Sequence, residues 1–264
     1  MSRLRTLYLW LTLTSARRRD LLWSALFSSL LIAIITSVLA WLWVAALPGS
    51  ESIAGYDAVR MVWYLAVAEA VVNGVDQRLM LRIGDDFQRG DLTAELLRPV
   101  TLVWMLTARE LGRSVARFVL SLPACVAVAW LIVGSPPSAA GLALLVITGP
   151  LAVIVQTLLI VAASASVMWL GDANAAWFVM QKLVFLVGGM LLPLEFWPDG
   201  VSGVLIALPW AATAYVPAHL AVQPDLVRAI ELVALQLFWV LAVGALASLA
   251  WTRGEQRLLR TPST

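Results

Sequence analysis

From Leu21 to Leu47 the chain runs 27 residues without a charged side chain. As a helix that stretch reaches about 40 Å, against a bilayer hydrocarbon core of about 30 Å. Five more apolar blocks follow, at about 57–78, 117–134, 141–170, 174–195 and 226–251. Charged residues make up only 13 % of the 264, about half the share in a soluble domain. So few charges cannot cover a solvated surface. The expectation is an all-α, polytopic membrane protein: one transmembrane domain over 1–264 with six spanning helices.

Composition also removes several chemistries. A single cysteine, Cys125, and a single histidine, His219, exclude a disulfide framework, Cys-based metal sites and HExxH zinc chemistry. No metal-ligand set and no catalytic constellation is expected. The one lysine, Lys182, stands in FVMQKLVF, without the glycine-rich turn and following Ser/Thr of a phosphate-binding loop. The chain is therefore expected to bind no cofactor, and any energy from ATP must enter through another polypeptide. No nucleic-acid partner is expected.

Arginine placement sets the expected orientation. Five arginines lie before residue 20, seven between Arg78 and Arg117, and three after Trp251, whereas 48–59, 134–140 and 193–227 hold none. Both termini are thus expected in the cytoplasm. Residues 1–20 read as a helix lying in the inner interface, with Leu4, Leu7, Tyr8 and Leu11 toward lipid. Val201–Tyr215 is apolar but too short to span, is interrupted by Pro209, and is bracketed by Pro198 and Pro217. The 196–217 region is expected to be a re-entrant helical hairpin on the outer side.

The largest cytoplasmic feature is the loop 78–100. Within it Asp91 can cap a short helix, with Glu95 in the first turn and Leu92, Leu96 and Leu97 on its apolar side. Such a helix suits docking into a partner's groove. Arg109, Arg113 and Arg117 follow at i, i+4, i+8 and are expected at inner-leaflet phosphates or snorkelling to the interface. Inside the membrane, Glu69, Asn73 and Asp76 share a face, Gln181 and Lys182 form a second polar group, and Gln156 a third. Intramembrane polar residues mark pathways or helix-to-helix links, and both readings apply to these six. Glu69 and Lys182 lie at similar depths by helical rise, so an ion pair is expected between them.

Two stretches resemble the permease subunits of type-2 ATP-binding-cassette (ABC) exporters: IGDDFQRGDLTAELLRPV (Ile83–Val100) and GMLLPLEFWPDGVSGVLIALPWAATAYVPAHL (Gly189–Leu220). The plan of interfacial helix, six spans and late re-entrant hairpin is similar as well. The resemblance implies one half of a transmembrane dimer, completed by an identical or a related permease. It implies two copies of a separate ABC ATPase carrying ATP and magnesium. The surface coupled to that ATPase would lie within Asp85–Pro99, on Asp85, Asp86, Asp91, Leu92, Glu95, Leu96, Leu97, Arg98 and Pro99. The implied activity is efflux of a hydrophobic or amphipathic compound, with polysaccharide or lipid-linked glycan export as the alternative and an integral-membrane enzyme as a more distant one. Seventeen arginines to one lysine point to a GC-rich bacterial genome, hence to the inner (cytoplasmic) membrane.

Overall fold

The computed structural model describes residues 18–49, 52–76, 78–90 and 101–260. Nearly all of the expected interfacial helix and the whole of Asp91–Pro99 lie outside the described residues.

Helix boundaries follow local chemistry. Helix α1 covers Arg18–Ala46. Asp57 opens α2 (Ala58–Gly74) by accepting from the Arg60 amide at 2.8 Å, which satisfies an otherwise unpaired first-turn N–H. The chain then turns and resumes as α3 (Leu79–Gln88). Helix α4 (Leu102–Val133) ends on Gly134, whose φ of 69° is the left-handed stop that glycine adopts without strain. Ser138 caps α5 (Ala139–Ser164), and the single turn α6 (Val167–Leu170) continues it. Asp172 caps α7 (Ala173–Lys182), which runs on into a π-helical turn, Leu183–Val187. Two short helices, α8 (Asp199–Ala207) and α9 (Tyr215–Val222), precede α10 (Leu226–Arg260).

No β-strand occurs among the described residues apart from one Ile53–Tyr56 bridge. Four helical stretches are long and apolar enough to cross a membrane: Ala58–Gln88, Leu102–Val133, Ala139–Leu170 and Leu226–Arg257. Shorter apolar helices, Ala33–Ala46 and Ala173–Val187, fall on the first and fifth expected blocks. The second stretch runs on to Gln88 and the last helix to Arg260, past the expected 78 and 251, and two further boundaries differ for a visible reason. The third helix starts at Leu102 instead of near 117, so the whole arginine row rides on one helix. The fifth ends at Val187 instead of 195, because Gly188 and Gly189 turn the chain and Gly188 gives its carbonyl to the Tyr215 amide at 3.0 Å.

Helix α2 is the axis of the bundle: nearly every residue from Met61 to Gly74 is buried, among them seven Ala or Val side chains between Val62 and Val72. Small side chains let helices approach closely, which is how membrane helices gain packing energy without water to drive them together. Helices α1, α4, α5 and α9 pack on α2, and α10 packs on α5. The approach is tightest where α9 meets α5. A Cβ on Gly141 would lie 2.0 Å from the Ala221 carbonyl oxygen, so only glycine fits there. Buried amides and indoles hold the helices in register. Gln156 donates to the Val72 carbonyl at 3.1 Å, Gln236 to Thr148 and Ala212, and Trp251 to Val161 at 2.8 Å. The periphery stays apolar, with Leu226, Ile230, Phe238, Leu241 and Leu246 exposed along α10.

Candidate functional site

At the arginine-rich end of the bundle, α2, α3 and α4 meet in an ion network. Asp76, just past α2, accepts from Arg82 of α3 and forms an ion pair with Arg117 of α4 at 3.1 Å. Glu110 of α4, only 2 % exposed, accepts from Arg82 at 3.2 Å and from Arg113, with Arg109 at 3.8 Å. Arg82 thus bridges a carboxylate in the turn after α2 to one on α4, and its fork of N–H donors suits that task. On the other side of α3, Leu79, Met80, Ile83 and Gly84 are buried against α5, α6 and α7. A Cβ on Gly84 would sit 2.6 Å from that of Ala173. Helix α3 is therefore locked by charge on one side and by close packing on the other. Asp86 pairs with Arg89 at 2.8 Å and Asp85 is exposed. The rest of the expected coupling surface lies outside the described residues.

The intramembrane polar residues divide. Glu69 and Gln156 are buried within the chain. Glu69 accepts from Asn73, one turn on, at 2.6 Å, and Gln156 ties α5 to α2. Asn73 and Lys182 are exposed, and Gln181 is half-buried. The expected Glu69–Lys182 pair does not form: Lys182 lies over the Phe178 ring, 5.1 Å from its centroid. Depth alone misled the expectation, because α7 packs chiefly on α3, α5 and α6 and Lys182 is exposed beside Phe178 while Glu69 is buried. Asp76 belongs to the ion network.

At the opposite end, Glu195, His219, Tyr56 and Tyr215 form a second polar cluster. Tyr215 donates to Glu195 Oε1 at 2.5 Å, and His219 Nδ1 lies 2.9 Å from the same oxygen and 2.8 Å from the Tyr56 hydroxyl. An ionised carboxylate has only lone pairs to offer, so Nδ1 carries the hydrogen. The imidazole stacks on the Tyr215 ring at 5.1 Å. Burial would raise the Glu195 carboxyl, but the His219 bond and charge, with Tyr215, outweigh it and hold it below the usual carboxylate range. Burial, with the Glu195 charge, pushes the Tyr56 phenol far up, so it stays protonated. Sequence reading singled out His219 but missed Glu195 and Tyr56. An acid in LLPLEFWP and a histidine one turn beyond Tyr215 were the available signals.

Buried small-residue helices, an apolar outer face and charge concentrated toward the ends define a polytopic membrane protein. The family model for the ABC-2 family transporter protein matches residues 31–261, nearly the whole chain. The chain belongs to that family and is a permease component of it. No curated protein matches the sequence.

Proposed function

We propose that this permease exports a hydrophobic or amphipathic compound across a bacterial inner membrane, driven by a separate ABC ATPase present in two copies. The transmembrane unit is a dimer of this chain with itself or with a related permease. The observation that carries the reading is the seating of α3: Arg82 ties it to Asp76 and Glu110, while Gly84 seats it on α7. A push on the loop that follows α3 then moves α2, α4 and α7 together. The ATPase docks on Asp85–Pro99, with Leu92, Leu96 and Leu97 as its apolar anchors.

In this reading α1 and α7 complete six spans, and the α8–α9 pair is the re-entrant hairpin. As helices of 9 and 8 residues, α8 and α9 reach only about 12–14 Å each. The arginine-rich end, with both termini, is cytoplasmic. Asn73, Gln181 and Lys182, the polar groups that reach the surface at membrane depth, line the route. A charge facing lipid costs roughly 2.5–3.5 kcal/mol, so Lys182 faces water or the second permease.

Cysteine labelling tests the topology. In a Cys125→Ser background, Gly200→Cys is expected to react with an impermeant maleimide added outside intact cells. Position 200 is exposed, and a Cβ there meets nothing within 4 Å. Gln256→Cys, exposed at the far end of α10, is expected to react only after permeabilisation. Outside labelling at 256 would put the two ends of α10 on the wrong sides and overturn the orientation.

A further inference from the structure

The arginine row on α4 is only partly spent on the ion network. Arg113 and Arg117 each commit one terminal nitrogen, to Glu110 and Asp76 respectively. Their side chains remain 29 % and 28 % exposed. Among the described residues, Arg82, Arg113 and Arg117 pair with these two carboxylates alone, three cations to two anions. Asp86 is taken by Arg89, and Arg78 and Asp85 are exposed.

The face above the arginines is apolar. With Arg113 at i and Arg117 at i+4, the same stripe of α4 carries Leu120 at i+7 and Leu131 at i+18. These leucines are 43 % and 84 % exposed. Cations at the end of the span, continued by an exposed aliphatic stripe along the same helix, match a phospholipid from headgroup to acyl chain.

We propose that Arg113 and Arg117 bind the phosphate of an anionic phospholipid of the inner leaflet, with Arg82 adding to the field and the acyl chain starting along Leu120, about 10 Å up the helix from Arg113. Two guanidiniums one turn apart can each present paired N–H donors to phosphate oxygens. The bound lipid supplies the negative charge that Asp76 and Glu110 leave unmatched. The leaflet assignment rests on the orientation proposed above, which the labelling experiment decides separately, whereas the lipid site itself is read without reference to orientation.

Native mass spectrometry of the full chain, titrated with phosphatidylglycerol or with phosphatidylcholine, tests the site. Phosphatidylglycerol adducts are expected to persist at lower lipid concentration than phosphatidylcholine adducts. Arg113→Gln and Arg117→Gln are each expected to lower phosphatidylglycerol occupancy about fivefold, as loss of one cation near an anionic lipid does, and to leave phosphatidylcholine binding unchanged. In either single variant Glu110 and Asp76 keep Arg82 as a partner, so the fold is retained. The Arg113→Lys/Arg117→Lys double variant, which keeps the charge, is expected to restore most of the preference. Millimolar inorganic phosphate is expected not to displace the lipid. Equal retention of the two lipids, Gln variants that bind like the parent, or displacement by inorganic phosphate would each overturn the proposal.

Discussion

Glu110→Ala is expected to destabilise the purified chain by about 3 kcal/mol, the lower end of the cost of breaking a buried ion pair. The carboxylate is buried and receives Arg82 and Arg113, with Arg109 close by. Its removal takes the ion-pair partner from Arg113 and leaves Arg82 with Asp76 alone. Their partial exposure lets water screen the unmatched charge, which is why the lower figure applies. Thermal unfolding in detergent reads the loss. Adding Arg82→Leu is expected to cost less than the sum of the single changes, since each leaves the other's partner stranded. Strict additivity, or an Ala variant as stable as the parent, would mean that the network holds nothing together.

Glu195→Leu is the counterpart at the other end, with an expected loss of about 2 kcal/mol at neutral pH. It strands the Tyr215 hydroxyl as a donor and leaves the His219 N–H with the Tyr56 oxygen alone, and a buried unsatisfied donor costs about 1–3 kcal/mol. The pH dependence has a definite sign. The Glu195 carboxyl titrates below its value in the unfolded chain, about 4.3. Its ionised form therefore stabilises the fold fully above that value and ceases to as pH falls through the lower folded one. The gap in unfolding temperature between the parent and Glu195→Gln is thus expected to be open at pH 7 and to close in acid below about pH 4. A gap that stays constant across that range would assign the carboxylate no electrostatic role.

How far these sites were legible differs by the kind of information each needs. Lipid as solvent forces long uncharged helices, so the apolar blocks told most of the architecture. The hydropathy break at Arg117 hid the start of α4 because its arginines are partly neutralised laterally, by Glu110 on the same helix and by Asp76 on another chain segment. A run of amino acids does not display that pairing. Glu195 and His219 come together only because the glycine turn after Val187 and the short α9 fold back on the bundle, and Tyr56 joins them from 163 residues before His219. The Glu69–Lys182 expectation failed for a related reason: helical rise gives depth, but which way a side chain points around the bundle is set by packing.

Affinity purification of the full chain from its native membrane, followed by intact-complex mass spectrometry, bears most directly on the ATP-driven reading. The expected result is an ABC ATPase eluting with the permease, one copy per permease chain. The Leu96→Asp/Leu97→Asp variant should insert normally and elute without it. A permease that elutes with no ATPase, or a variant that keeps the parent's full complement, would contradict the account.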